Sequence, residues 1–597
     1  MDTIAVVDFG GQYTHLIANR VRRLGVYSEI VSPESAPEDL RAFKGIILSG
    51  SPHSVTDSSG PRIDAGILDL SIPILGLCYG HQLLSQMLGG TVKRGNIREY
   101  GSARFQIRKA NPLLKGIEDS ELVWMSHGDK VEQLPEGFEV LGSSADCETA
   151  AVGHFELRLY GLQFHPEVTE TPSGMRILDN FLEICGVARE WNPQSFMKEI
   201  EGEIRSACGD RKVFLLVSGG VDSTVAFALL NDALGVDRVL GLHIDNGLMR
   251  YRETQEITKY MARHGFDNLH IVDASDDFLD ALKGISDPEK KREIIGNTFL
   301  SVQQKAQADL GLNAEEWLLA QGTIYPDTIE SAGTTHADRI KTHHNRVDVV
   351  LELLKKGLVV EPLSQLYKDE VRMLGEALDL PKSLVWRHPF PGPGLGVRTL
   401  CSSREFIEID KETSDSVATI AGNEGYHGYV LPVRSVGVQG DGRTYAHPAV
   451  LSGPRDWEAL ERISTSISNS VGSINRVVYA LHTEGSTEYR TREGYLTRDR
   501  LDKLRLVDHF VTQTLRASGE YEEIWQMPVV LLPLLNAQGN ECVVLRPIQS
   551  TEAMTARFVA LRDDTLDLIV DKVKSMSGVG DLFYDITHKP PGTIEWE

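Results

Sequence analysis

Two stretches of this chain place phosphate-seeking or nucleophilic groups at the end of an apolar run. The first is Ser218-Gly219-Gly220-Val221-Asp222-Ser223, which follows Val213-Phe214-Leu215-Leu216-Val217 and precedes a predicted helix over Thr224–Leu230. Strand, glycine turn and helix in that order aim backbone N–H groups at a phosphate. No Gly-Lys-Ser/Thr follows, so this is not the common nucleotide loop with its phosphate-reaching lysine. The second stretch is built on Cys78. Ile72–Leu77 reads as a buried strand, Gly76-Leu77-Cys78-Tyr79-Gly80 as a turn, and Gln82-Leu83-Leu84 as the start of a helix. A cysteine at such an elbow sits near a helix N-terminus, where the dipole favours a thiolate. His165 closes another strand candidate, Leu159–Phe164, with Glu167 two residues on. Nucleophile, base and orienting carboxylate are the parts of thiol acyl transfer. Gly50-Ser51-Pro52, after its own strand, offers backbone N–H groups to an oxyanion. A single cysteine or histidine is most often structural. Glycines on both sides of Cys78 and a His-Pro-Glu at a second strand end favour chemistry.

The elements that must position these groups alternate in type. Ile4–Val7, Gly45–Leu48 and Ile72–Leu77 are short apolar runs, each followed by a turn rich in Gly, Ser or Pro. This predicts an α/β unit over residues 1–190 with a largely parallel sheet. Residues 191–209 are charged and predicted as a helical linker. A second α/β unit is expected over residues 210–398, with strands Val213–Val217 and Val239–Ile244. His243-Ile244-Asp245-Asn246-Gly247 ends the latter strand and suits the rim of a nucleotide site, with Asp245 facing the cofactor. The cluster His388-Pro389-Phe390-Pro391-Gly392-Pro393-Gly394 is neither helix nor central strand. Residues 399–597 alternate in the manner of an α+β module, and no internal repeat is visible.

The 597 residues suggest roughly three or four domains. The balance of 61 basic and 85 acidic residues, net −24, argues against a general nucleic-acid surface. It leaves room for small anionic substrates in a local basic pocket. Six scattered cysteines form no C-x-x-C pair, so neither a disulfide framework nor a zinc site is expected. There is no basic leader and no apolar stretch of membrane length, and the expected compartment is the cytoplasm.

Gly76–Gly80 and Gln163–Glu167 resemble the class I glutamine amidotransferases. That resemblance implies that Cys78 attacks the side-chain amide of glutamine, with His165 as base, Glu167 as its orienter, and Gly50 and Gln82 against the substrate. The chain departs from the usual family form at Ser51, commonly glycine, and at His81, commonly methionine. The loop Ser218–Ser223 resembles the N-type ATP pyrophosphatases, which transfer AMP. By that resemblance Ser218, Gly219, Gly220, Val221, Asp222 and Ser223 cradle the leaving phosphates of ATP. Asp222 either orients Mg²⁺ or caps its helix. The implied fold class is multidomain α/β: an amidotransferase domain, a Rossmann-like pyrophosphatase domain with a parallel sheet, and a C-terminal α+β domain.

Further motifs run in one order: Gln321–Asp327, Ile329-Glu330-Ser331, Ile340–Asn345, Glu361-Pro362-Leu363, Lys368–Arg372, the Pro-Gly cluster, and the terminal Lys589–Glu597. Together they resemble the glutamine-hydrolysing GMP synthases along nearly the whole chain. The resemblance implies adenylation of XMP by ATP, attack of ammonia at C2, and release of AMP to give GMP. Lys341 is then a catalytic phosphate contact. Arg292, Pro391, Gly392, Arg546, Gln549, Lys589 and Glu595 hold XMP, with Glu595 accepting from a purine N–H. The region after the Pro-Gly cluster is longer than in short relatives, and monomer and homodimer both remain open. Another adenylating ligase, such as an NAD synthetase, normally carries a Glu-Lys-Cys glutaminase instead. A non-catalytic nucleotide sensor would not need Cys78, His165, Asp222 and Lys341 together.

Overall fold

A computed structural model describes residues 1–57, 59–313, 315–332, 357–403, 407–439, 442–485, 488–550 and 555–597. Two compact units result: residues 1–207 with 321–379, and residues 208–320 with 380–597.

In the first unit, Thr3–Val7, Tyr27–Val31, Gly45–Leu48, Ile74–Leu77 and Leu159–Leu162 are strands. Most are near-continuous apolar runs, as expected where helices cover both faces of a parallel sheet. They pair in parallel in the order 27–31, 3–7, 45–48, 74–77, 159–162. Side chains alternate between two cores. Ile4, Val6, Leu75 and Leu77 pack with Ile17, Val21, Ile177 and Phe181 of two helices. Ala5, Val7, Ile46 and Leu48 pack with Leu83 and Leu84 of the helix that follows Cys78. Beyond Leu159–Leu162 the sheet turns antiparallel through Ala151–His154, Glu139–Ser143, Thr91–Ile107 and Ser120–Gln133. The sheet is therefore mixed rather than largely parallel. The difference comes from the long pair of 17 and 14 residues, whose half-exposed strands lack the apolar runs that mark buried ones.

Helix Lys368–Ala377 belongs to the same unit and meets helix Thr14–Arg23 through polar contacts. Asp369 accepts from Asn19 at 3.2 Å and Arg23 at 2.9 Å, and Glu370 accepts from Arg22 at 3.1 Å. The Arg22 guanidinium is enclosed by the rings of Tyr27, Trp191, Tyr325 and Tyr367. The charged stretch expected to be helical forms helix Pro193–Cys208.

In the second unit, Lys212–Leu216 lies between Val239–Asp245 and Trp317–Ala320, with Leu269–Asp273 outside, all parallel. A third, mixed sheet follows, and its topology repeats. Lys411–Asn423, His427–Val430, Gly442–Ser452, Trp457–Ser470 and Ile474–His482 run helix, strand, strand, helix, strand, with one added strand, Ser435–Gln439, paired antiparallel to Gly442–Ser452. Arg498–Ser518, Val529–Leu535, Glu541–Leu545, Asp563–Val573 and Val579–Asp585 run the same way, with a short separate pair, Ile548–Gln549 and Arg557–Phe558, before the second helix. In each module the first two strands are antiparallel and the last two parallel. The two closing strands, Ile474–His482 and Val579–Asp585, pair antiparallel at the centre. The repeat lies in topology and pattern, which is why residue identities do not reveal it. One face of this sheet is covered by the four helices. The other buries Leu431, Val478, Leu532, Phe583 and the near-terminal Trp596.

Candidate active site

Cys78 stands between strand Ile74–Leu77 and helix Tyr79–Met87 with φ 51° and ψ −103°. A positive φ is costly for a residue with a side chain and persists only where its surroundings enforce it. Here they do. Cys78 N donates to Leu162 O at 2.7 Å and Gly80 N to Ser49 O at 3.0 Å. The flanking glycines are sterically required: a Cβ on Gly76 would lie 2.5 Å from the Gly80 carbonyl carbon, and one on Gly80 would lie 2.3 Å from Leu48 O.

The thiol faces Ser126 O at 3.5 Å and accepts from Gln163 Nε2 at 3.7 Å. Gln82 Nε2 donates to Gln163 Oε1 at 3.1 Å and to Asp129 O at 2.7 Å, so Gln82 sits one amide away from the sulfur. His165 Nδ1 pairs with Glu167 Oε1 at 2.7 Å, both side chains being almost fully buried. Burial pushes the imidazole down. The Glu167 carboxylate and hydrogen bonds to Cys78 and Glu167 outweigh it and raise its pKa to about 10. A Cβ on Gly50 would lie 3.4 Å from His165 Cε1 and 4.0 Å from Cys78 Cβ, so Gly50 borders the same space. The structure thus brings Gly50, Cys78, Gln82, His165 and Glu167 together.

Both departures from the family form have a local account. Ser51 Oγ donates to Phe9 O at 2.8 Å and accepts from His53 N at 3.2 Å, bracing the loop beside Gly50. His81 is fully buried, which lowers its pKa to about 3 and keeps it neutral. It fits because residue 161 is glycine, where a Cβ would lie 2.1 Å from His81 Nδ1. Sequence reasoning missed Arg20, whose Nε donates to Glu167 O at 3.1 Å, and Tyr13, whose ring lies 5.0 Å from that of His165. Neither carries a motif, since both reach the site from the first helix region. Gln163 was legible in principle, two residues before His165.

The electrostatics of this pair give one prediction. Glu167→Gln removes the negative charge that does most to raise the His165 pKa, while burial continues to depress it. The imidazole should then titrate well below 10, in the direction of its ordinary 6.5 or lower, instead of staying charged across neutral pH. Histidine NMR titration reads this directly, and a His165 resonance still titrating near 10 in the variant would contradict the assignment of cause.

In the second unit the hexamer forms the expected turn. Gly219 has φ +80°, and a Cβ there would lie 2.5 Å from Ile257 Cδ1. Gly220 caps helix Val221–Leu234, so Asp222 occupies the first turn rather than the cap itself. Ser218 Oγ and Ser223 Oγ are 3.0 Å apart, and Gly220 N donates to Ser218 Oγ at 3.2 Å. Asp245 is tied to this loop by a relay: Val217 O to His243 Nδ1 at 2.7 Å, His243 Nε2 to Thr254 Oγ1 at 3.2 Å, and Thr254 Oγ1 to Asp245 Oδ2 at 2.7 Å. Arg387, paired with Glu253 at 2.9 Å, adds a cation whose Nη2 is 3.8 Å from the Cβ position of Gly219. It sits just before the Pro-Gly cluster and carries no motif of its own. Lys341 falls outside the described residues.

The terminal segment is docked. Trp596 is fully buried and its Nε1 donates to Asp585 at 2.9 Å. Arg476 and Arg546 pair with the same carboxylate at 3.0 and 2.7 Å, all three side chains being fully buried. Arg546 Nε also donates to Ile594 O at 3.1 Å, and Arg476 Nη2 to Thr593 O at 2.9 Å and Glu595 O at 2.8 Å. Arg546 therefore holds the tail and is sealed from solvent. Arg292 donates to Glu597 O, and Lys291 forms an ion pair with the Glu597 side chain. Glu595 accepts from Arg398 through both oxygens. Pro391 is half-buried and Gly392 exposed on the Pro-Gly loop. Lys589 pairs through its backbone with Ala556, while Gln549 is exposed on the short strand Ile548–Gln549.

The glycine-flanked cysteine elbow and the sheet around it define a class I glutamine amidotransferase unit, and residues 5–185 match the family model for glutamine amidotransferase class-I. Residues 513–596, which take in most of the second C-terminal module and most of the terminal tail, match the model for the GMP synthase C terminal domain. A relative from Leptospira interrogans named "Probable GMP synthase (glutamine-hydrolyzing)" is 46% identical over 602 residues, covering 100% of this chain and 99% of its own. One of the same name from Caenorhabditis elegans is 37% identical over 690 residues, covering 100% and 92%. The GMP synthase (glutamine-hydrolyzing) of Syntrophomonas wolfei is 43% identical over 501 residues, covering 80% of this chain but 97% of its own. The chain belongs to the glutamine-hydrolysing GMP synthase family.

Proposed function

We propose that this chain makes GMP by a two-site reaction. At the first site, Cys78 Sγ attacks the carboxamide carbon of glutamine. His165 passes a proton to the leaving nitrogen, ammonia departs, and water then hydrolyses the thioester to glutamate. Glu167 fixes the imidazole and balances its charge. Gly50 N–H is the candidate oxyanion donor, and Gln82 and Gln163 shape the pocket around the sulfur.

At the second site, the 2-oxygen of XMP attacks the α-phosphorus of ATP and pyrophosphate leaves. Ammonia then adds to C2 and AMP departs with the oxygen, giving GMP. The parallel-sheet domain is read as a Rossmann-like ATP pyrophosphatase over residues 210–398, although residues 321–379 group with the first unit, and it is followed by the C-terminal region at 399–597. Gly219, Gly220, Val221 and the hydroxyls of Ser218 and Ser223 receive the departing phosphates. Asp222 and Asp245 border that site. No group of three or more His, Cys, Asp or Glu side chains among the described residues forms a metal cage. Mg²⁺ is usually held by one or two carboxylates together with the nucleotide's phosphates. Asp222 would be its protein ligand, and the ion would neutralise phosphate charge. Lys341 is proposed as the cation at the reacting centre.

The C-terminal region carries two modules of one topology in a single chain, and the shorter relative leaves a fifth of this chain unmatched. We read the extra module as supplying within one chain the contacts a second subunit would otherwise give, and expect a monomer. Six free cysteines accord with a reducing compartment, and no helix among the described residues is long and apolar enough to cross a membrane.

The observation that carries this reading is the coincidence of the Cys78 elbow with a likeness that runs the length of the chain. The test is to supply XMP, ATP and ammonium without glutamine. ATP should become AMP and pyrophosphate only when XMP is present. Release of ADP and phosphate, or indifference to XMP, would remove the second half of the scheme.

A further inference from the structure

We propose that Arg398 and Gln526 are positioning residues that fix the Glu595 carboxylate and leave one of its lone pairs open for a purine ring N–H. This rests on the reading of Glu595 as the residue that accepts from XMP.

The geometry is specific. Arg398 Nε donates to Glu595 Oε2 at 3.0 Å and Nη2 to Oε1 at 2.9 Å, the two-pronged arrangement in which a planar guanidinium matches a carboxylate. Gln526 Nε2 donates to the same Oε1 at 3.1 Å and to Pro389 O at 3.2 Å. Both partners of that nitrogen are acceptors, which fixes the amide orientation. Oε1 thus accepts twice and Oε2 once. A carboxylate has about four lone-pair sites, so the remaining one is on Oε2.

The surroundings hold this arrangement in place. The Arg398 side chain is 1% exposed and that of Glu595 17%, so the acceptor reaches solvent while its partner does not. Arg398 lies 5.1 Å from the Phe390 ring centroid, and Arg250 covers the same ring at 4.2 Å. Arg250 also donates to His388 O at 3.1 Å and Pro389 O at 3.3 Å. Gln526 therefore links the tail carboxylate to the Pro-Gly loop that carries Pro391 and Gly392. A tail that docks by its tryptophan alone would leave the Glu595 side chain free to rotate. The fork and the amide remove that freedom before substrate arrives, which lowers the ordering cost of binding.

The experiment measures the KM for XMP and for ATP in the full-length enzyme with ammonium as nitrogen donor. The variants are Glu595→Gln, Gln526→Ala, Arg398→Lys and the double variant Glu595→Gln/Gln526→Ala. Each single change should raise the XMP KM about tenfold or more, with the ATP KM within about twofold. In the Glu595→Gln background, Gln526→Ala should add less than about twofold, because its effect passes through that carboxylate. If Glu595→Gln raises the XMP KM but Gln526→Ala and Arg398→Lys do not, the positioning role is overturned and the reading of Glu595 stands. If Glu595→Gln leaves the XMP KM unchanged, that reading fails and the proposal with it. Full additivity in the double variant would also overturn it. Should Arg398→Lys not fold, judged by thermal melting, Gln526→Ala and the double variant decide the question.

Discussion

Cys78→Ala is expected to lower glutamine-dependent GMP formation by about ten-thousandfold, the scale set by losing a nucleophile from a cooperating catalytic group. Ammonia-dependent formation should stay within about twofold of the parent. The elbow is the reason. Positive φ at Cys78 and the close approach of Gly80 to Leu48 present the sulfur at the start of a helix. The thiol then meets a buried imidazole whose pKa the Glu167 carboxylate helps raise to about 10. Alanine keeps the backbone and removes only the sulfur, so nothing in the unit proposed to adenylate XMP should change. Assaying both nitrogen donors on one preparation checks this. Equal loss of the two activities would make Cys78 a packing residue.

Deleting Lys589–Glu597 is expected to abolish GMP synthesis with either nitrogen donor while basal glutamine hydrolysis persists. Three effects add here. The deletion takes Trp596 out of a core shared with Leu431, Val478, Leu532 and Phe583, a loss of about 3–5 kcal/mol for a buried tryptophan. It also leaves Asp585, Arg476 and Arg546 buried without the groups they hold, which is costly for charges in a low-dielectric interior. Glu595 and Lys589, the proposed XMP contacts, leave as well. Glutamate and GMP production measured together separate the sites. Loss of both would show that the tail supports the whole molecule, and retention of GMP synthesis would remove it from XMP binding.

What the sequence disclosed follows from how locally each feature is encoded. The strands Gly45–Leu48 and Leu159–Leu162 and the Cys78 elbow were legible because buried parallel strands are apolar runs and turns need glycine. The pair Thr91–Ile107 and Ser120–Gln133 escapes such a reading because its partly exposed residues carry no such run. Arg546 carries the motif of a substrate contact. Its burial against Asp585 depends on a carboxylate 39 positions on, which no local pattern announces. Arg20 at Glu167 and Gln526 at Glu595 were illegible for the same reason. Two prolines and a tryptophan mark the tail as a docking segment. Trp596 is indeed sealed, and the network of arginines that holds it was not foreseeable.

Whether nitrogen released at Cys78 becomes the 2-amino group of GMP, with one ATP cleaved to AMP and pyrophosphate, is tested most directly by an isotope. The measurement supplies amide-¹⁵N glutamine with XMP and ATP, and follows GMP by mass spectrometry alongside AMP, pyrophosphate and glutamate. The expected result is ¹⁵N in the exocyclic amino group, with one AMP, one pyrophosphate and at least one glutamate for each GMP. Unlabelled GMP, ADP in place of AMP, or glutamate formed with no GMP while XMP and ATP are present would contradict it.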